Sequence, residues 1–297
     1  MQINNHQPVV SVIIPTYNRK ALLQRSIDSA LSQTLENIEV IVIDDGSTDG
    51  TEELFSSVHD SRVQYHRLSH QGGCAARNAG INLSTGKYIA FLDSDDLWLP
   101  HKLSLQCEQL ESAGADAVCC AFSRHDGQSV TRFPDADHPA GQIHYQQLLG
   151  GNIVSTQTIL GRTECMKKVL FDEAFPRMQD WEYAIRLAKD NKLVYFPDAL
   201  AELYVQNDSI SRKPHLGLQA IRMLLQKYRQ DYILSLPNTL LMLNTMNSFA
   251  EQCGKHCFLD CLKTTSFKRS PKDNIVLLRR AASMLLHSIK SALCKKG

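Results

Sequence analysis

Gly86-Lys87-Tyr88-Ile89-Ala90-Phe91-Leu92-Asp93-Ser94-Asp95-Asp96-Leu97-Trp98-Leu99-Pro100 is the stretch on which the reading of the whole chain turns. Tyr88 to Leu92 is a short unbroken apolar run, the pattern of a strand buried on both faces. It passes directly into three acids, Asp93, Asp95 and Asp96. Two carboxylates one residue apart at a strand end can face a hard divalent cation, which takes few protein carboxylates and fills its shell with phosphate oxygens. The same residues also suit a turn in which Asp95 or Asp96 caps a helix.

The pattern repeats upstream. Val9-Val10-Ser11-Val12-Ile13-Ile14 is rich in β-branched residues and stops at Pro15, so it reads as a buried strand. Leu23, Ile27, Ala30 and Leu31 follow at helical spacing. Val40 to Ile43 is a second strand, ending in the turn signal Asp44-Asp45-Gly46-Ser47-Thr48-Asp49-Gly50. A short helix is predicted over 51–58, a third strand over 63–68, and a helix opening at Gly72-Gly73. Strands alternating with helices imply a mainly parallel sheet, and ligands of such sheets bind beyond the carboxyl ends of the strands. Both acidic clusters lie there.

Downstream the signal is less regular. Strands are expected over 117–122, 153–160, 193–196 and 200–206, with helices over 163–169 and 180–189. Residues 124–150, rich in His, Asp, Gly and Pro, read as a long loop. After Pro214 the pattern is helical, broken near Pro237, Gly254 and Pro271.

The 297 residues carry 32 Lys and Arg against 31 Asp and Glu, which excludes a bulk polycation built to coat nucleic acid. That balance hides an asymmetry. Residues 1–214 hold 19 basic and 27 acidic side chains, net −8, and residues 215–297 hold 13 and 4, net +9. Apolar content of 43% excludes wholesale disorder. Met1 to Gln7 has no basic-then-apolar stretch, and no apolar run reaches the roughly 18 residues of a membrane span. Nine cysteines in no framework spacing suggest reduced thiols. A cytoplasmic protein is therefore expected.

Three further segments bear chemistry. The strand-end acids Asp44 and Asp45 could accept an N–H from a nucleobase or a ribose hydroxyl, or could cap a plain turn. Gly72-Gly73 with Arg77 could meet a phosphate, or could be a turn with a structural arginine. Gln179-Asp180-Trp181-Glu182 places an acid at a helix start, as a general base or a helix cap.

Taken in order, VVSVIIPTYN (9–18), Asp44 to Asp49, Gly72 to Gly80, GKYIAFLDSDDLWLP (86–100) and Gln179 to Glu182 closely resemble the family 2 glycosyltransferases over residues 8–212. The resemblance implies an α/β GT-A fold, a mainly parallel sheet flanked by helices, over 8–212. A basic helical extension follows over 213–297. It implies an inverting, metal-dependent transfer of a sugar from a nucleotide-sugar, UDP-linked by preference, to an acceptor hydroxyl in polysaccharide or glycolipid assembly. Pro15, Tyr17, Asp44, Asp45, Arg77, Asp93 and Ser94 then fall to the nucleotide-sugar. Asp95, with Asp93, falls to Mn²⁺ or Mg²⁺, and Asp180 becomes the catalytic base. Such a displacement needs no nucleophilic side chain, so the absence of a Ser-His-Asp signature does not count against it.

One departure stands out. Relatives carry an Arg-X-His element where this chain reads Val205-Gln206-Asn207, so Asn207, Asp208 or water would take the place of the histidine. In the tail, Ile275, Leu278, Ala282, Leu285, Leu286, Ile289 and Leu293 form an apolar stripe with basic residues beside it. The stripe suits either the anionic inner face of a membrane or packing on protein. Cys253, Cys257 and Cys261 read as buried small side chains rather than a zinc site. The rival functions are a sugar nucleotidylyltransferase, which would want a glycine-rich loop after the first strand, and a non-catalytic carbohydrate-binding scaffold, which would not need Asp95 or Asp180.

Overall fold

A computed structural model describes residues 7–56, 59–253, 272–277, 279 and 283. The strands are β1 (Val10–Thr16), β2 (Ile38–Asp44), β3 (Val63–Arg67), β4 (Tyr88–Phe91), β5 (Leu97–Trp98), β6 (Ala117–His125), β7 (Val130–Phe133), β8 (Gly141–Ile143), β9 (Ile159–Arg162) and β10 (Leu193–Tyr204). The helices are α1 (Lys20–Leu31), α2 (Thr51–Leu54), α3 (Gly73–Leu83), α4 (Lys102–Ser112), α5 (Tyr145–Leu148), α6 (Thr163–Met166), α7 (Gln179–Asp190), α8 (Pro214–Lys227), α9 (Arg229–Leu234) and α10 (Leu236–Gln252).

All these strands join one sheet, in the order β3-β2-β1-β4-β9-β6-β10-β5, with β7 on β6 and β8 on β10. The β3-β2-β1-β4 half is parallel, as the βαβ alternation predicts. The other half is mixed: β6 and β10 are parallel, while β9 enters antiparallel between β4 and β6. Every residue of β1 and β2 is buried, so both faces of the sheet are covered. Val10, Val12 and Ile14 pack with Leu23, Ile27 and Ala30 of α1 in the main core. On the other face Gly80 of α3 meets Ile13, where a Cβ would lie 2.4 Å from Cγ2. This glycine lets α3 seat closely on β1.

Three predicted elements change shape. Residues 124–150 contain β7, β8 and α5, since short edge strands form there by pairing with β6 and β10. The two late strands are one, β10, with register shifts between Phe196 and Ala201 where Pro197 and Asp198 bulge out. Residues 153–160 include a 3₁₀ turn, Thr156–Thr158, before β9 begins.

The chain divides into two compact units. The first comprises residues 1–145, 153–173 and 179–206 and contains the sheet. The second comprises residues 146–152, 174–178 and 207–297. Within the second, Leu218, Ile221 and Leu224 of α8 and Met242, Leu243 and Met246 of α10 are buried. Gly217 admits the Phe249 ring, over which the Arg177 guanidinium lies at 4.9 Å. Ser235 caps α10, whose first turn contains Pro237. Most of the tail stripe, with Cys257 and Cys261, lies outside the described residues. Among the described residues no helix is long and apolar enough to cross a membrane, and the six cysteines there are free thiols.

Candidate active site

The site is built from the carboxyl ends of β1, β2 and β4 and the first turn of α3. Asn18, in the left-handed conformation at φ 51°, turns the chain out of β1. Its backbone N–H donates to Ser47 Oγ at 2.8 Å, and its Oδ1 accepts from Thr48 N–H at 2.7 Å. The ends of β1 and β2 are thereby clipped together. Asp49 serves both following helices: Oδ2 accepts the Lys20 N–H that opens α1, at 2.9 Å, and Oδ1 accepts from Thr51 N–H at 3.1 Å. These bonds hold its carboxyl below the ordinary range against the opposing effect of burial.

The two acids of the first cluster face different ways. Asp44 is fully buried. It accepts from Ser47 N–H at 2.8 Å and Tyr65 Oη–H at 2.6 Å, with Arg67 3.8 Å away. Burial, reinforced by Asp44, pushes the Tyr65 hydroxyl pKa up. Asp45 reaches the cleft wall. Its oxygens accept from Gln71 N–H at 2.7 Å and Gly72 N–H at 2.8 Å, and His70 Nδ1 lies 2.9 Å away. The His70 ring stacks on Tyr17 at 4.2 Å between centroids.

Arg77 projects from α3 between two other segments. Its Nη2 donates to Asp93 Oδ1 at 2.7 Å and its Nη1 to Gln179 Oε1 at 3.2 Å. Burial works to lower its pKa, but the Asp93 carboxylate outweighs it and the net shift is upward, with Asp180 adding to it. Past β4, Asp95 lies 3.8 Å from Arg19. Asp96 is turned inward, and burial, reinforced by Asp93 and Asp95, pushes its carboxyl well above the ordinary range.

One cleft gathers Pro15, Tyr17, Asp45, Arg77, Asp93, Ser94 and Asp95, together with Thr16, Arg19, Gly73 and Ala76. Asp44 lies beneath it and does not line it. Asp180 is half-buried in the first turn of α7, beside the Gln179 that Arg77 holds. The residue before that helix, Met178, has φ 61°, a strained conformation for a long side chain. Asn207 and Asp208 are exposed and belong to the second unit. Thr16 also lines the cleft, although its only signal in the sequence is its place at a strand end. Its Oγ1, like Arg77 Nε, is shielded from water and has no hydrogen-bond partner among the described residues. Two orphaned polar atoms among the cleft residues fit a site shaped for a polar ligand.

The model of glycosyl transferase family 2 matches residues 11–170, more than half of the chain. The chain belongs to that family. An Escherichia coli relative, the UDP-Glc:alpha-D-GlcNAc-diphosphoundecaprenol beta-1,3-glucosyltransferase WfaP, is 34% identical over 181 residues, covering 60% of this chain and 69% of WfaP. Matches to two uncharacterized Rickettsia glycosyltransferases span only 29% and 31% of those longer proteins. Among solved structures, S. aureus TarS 1–349 in complex with UDP-GlcNAc superposes with a TM-score of 0.65 at 16% identity, covering 94% of this chain and 91% of that one. The mannosyltransferase PcManGT of Pyrobaculum calidifontis, in complex with GDP-Man and Mn²⁺, gives a TM-score of 0.62 at 17% identity, over 99% and 80% of the two chains. These likenesses establish the GT-A fold for this chain.

Proposed function

We propose that this chain is an inverting glycosyltransferase that moves a sugar from a nucleotide-sugar, UDP-linked by preference, to an acceptor hydroxyl. The supporting observation is the cleft itself. It assembles an exposed aromatic ring (Tyr17), two cations (Arg19 and Arg77) and three carboxylates (Asp45, Asp93 and Asp95) beyond the ends of parallel strands. An aromatic face suits a nucleobase, and the cations suit a diphosphate. Pro15, Tyr17, Asp45, Arg77, Asp93 and Ser94 take the nucleotide-sugar in this reading, and Asp44 supports them from below.

The donor set of Asp93 and Asp95 fits Mn²⁺ or Mg²⁺. It offers hard carboxylate oxygens at a strand end, Asp95 as the direct ligand and Asp93 beside it. Such a pair suits a cation that keeps most of its shell for phosphate and water. Bound there, the cation neutralises charge on the departing diphosphate. Asp95 would hold the cation directly, while Asp93, tied to Arg77, would face the ribose. Asp180 takes the proton of the acceptor hydroxyl as that oxygen attacks the anomeric carbon from the side opposite the leaving diphosphate, so a single displacement inverts the centre. A carboxylate is a weak base for an alcohol, so the proton moves late, as the C–O bond forms. The diphosphoundecaprenol acceptor in WfaP's name supports a lipid-linked sugar acceptor.

Asp180→Asn separates binding from chemistry. Its affinity for donor, read by titration calorimetry, should stay within about threefold of wild type, while turnover falls by about 10² or more. Unchanged turnover would remove Asp180 as the base.

A further inference from the structure

Behind the Asp93–Asp95 turn, away from the cleft, lies a buried polar assembly that the reaction itself does not use. Asp96 is 5% exposed and Gln157 is 2% exposed, and neither lines the cleft. Gln157 Nε2–H donates to Asp96 Oδ2 across 61 positions of sequence. Asp96 Oδ1 accepts from Tyr204 N–H at the end of β10, at 2.8 Å, and the Asp96 carbonyl accepts from Ser26 Oγ–H of α1, also at 2.8 Å. Gln157 is fixed in turn. Its Oε1 accepts from Ser155 Oγ–H at 2.9 Å, and its carbonyl accepts from Trp98 Nε1–H at 3.0 Å. One aspartate therefore ties α1, β10 and the 155–158 segment to the turn that carries Asp95.

Burying a carboxyl and an amide is costly unless both are fully hydrogen-bonded, and a fully bonded buried network rigidifies what it touches. Asp96 adjoins Asp95, their Cα atoms about 3.8 Å apart, so holding the Asp96 carboxylate and carbonyl in place also restrains the backbone that carries Asp95. We propose that Gln157 and Asp96 form a positioning pair that sets the Asp93–Asp95 carboxylates at the spacing the donor's diphosphate and its cation require. The inference rests on the donor-site reading above. Gln157 acts only through Asp96 and contacts no substrate.

Exchanging donor and acceptor tests it. Gln157→Glu removes the Nε2–H that Asp96 Oδ2 accepts. Adding Asp96→Asn restores every bond with the polarity reversed. The amide introduced at position 96 donates its N–H to the carboxylate introduced at position 157, and its oxygen keeps Tyr204 N–H. That carboxylate in turn keeps Ser155 Oγ–H. Groups that orient metal ligands typically alter metal affinity about 10- to 100-fold when lost. At pH 8, Gln157→Glu should weaken binding of UDP with Mn²⁺ by about tenfold or more. It should also speed hydrogen exchange in peptides covering 93–98 and 200–206. The double variant should return both to within about threefold of wild type. A purely structural role predicts lower stability in Gln157→Glu with unaltered Mn²⁺-dependent UDP affinity in the folded fraction, and that result overturns the proposal. Unchanged exchange, or no recovery in the double variant, overturns it as well. Asp95→Ala is measured alongside: UDP affinity equal to wild type there overturns the donor-site reading, whereas the exchange data judge the pair separately.

Discussion

The two acidic turns look alike in sequence, Asp44-Asp45 after β2 and Asp93-Ser94-Asp95-Asp96 after β4, yet the protein uses their carboxyls differently. At the first turn, Asp44 is sealed by Ser47 and Tyr65, and Asp45 is held by two backbone N–H groups and His70. Asp44 organises the protein around it, and Asp45, so held, presents its edge to the cleft. At the second turn the inward acid, Asp96, plays that organising part, while Asp93 and Asp95 meet arginines at the cleft wall. A carboxylate supplied with internal donors holds the scaffold, and one that faces cations at the edge of a cleft is placed to exchange them for a ligand. Adjacency in sequence does not separate the two kinds. The hydrogen-bond donors around each do.

The largest expected effect is at Asp95. Asp95→Ala should lower Mn²⁺-dependent transfer by about 10³-fold, corresponding to several kcal/mol of charge stabilisation, with little change in melting temperature. At Asp44 the balance should reverse. Asp44→Ala leaves Tyr65 Oη and Ser47 N–H without their partner and should cost about 2–4 kcal/mol in urea unfolding, while the folded fraction keeps kcat within a few-fold. If Asp44→Ala were instead fully stable and inactive, the division between the two turns would fail.

A smaller effect is expected beneath the second turn, at Lys102. It is fully buried, with Nζ 3.9 Å from the centre of the Trp98 ring. Burial lowers its pKa to about 8, from 10.5 in the unfolded chain. Between those values the unfolded chain binds more protons, so wild-type stability rises with pH across that window and the ammonium is a cost below it. The stability of Lys102→Met relative to wild type should therefore be greatest below pH 8. It should decline by roughly 3 kcal/mol by about pH 10.5. A pH-independent difference would show that Lys102 does not titrate there.

Much of this architecture is legible in the sequence because its signals are local. The runs at β1, β2 and β4 are continuous and apolar, and each ends in residues suited to turns, so the parallel half and the cleft can be placed from the chain alone. β7 is not legible, because three of its four residues are exposed and its stability comes from pairing with β6 rather than from its own pattern. Pro197 and Asp198 imitate a break, since a bulge and a strand end share the same residues. Gln157 carries no motif. Its meaning appears only when the fold brings it to Asp96. Thr16 likewise lies inside a motif read for its neighbours.

The most direct test of the donor site is thermal unfolding of the full chain with UDP, GDP, dTDP and CMP, each with and without Mn²⁺. A ligand at about 100 times its Kd adds about 2.7 kcal/mol to stability. Tm should rise with one of these nucleotides, in a manner dependent on Mn²⁺ and absent in Asp95→Ala. An equal rise without Mn²⁺, or one that persists in Asp95→Ala, would contradict the donor-site reading.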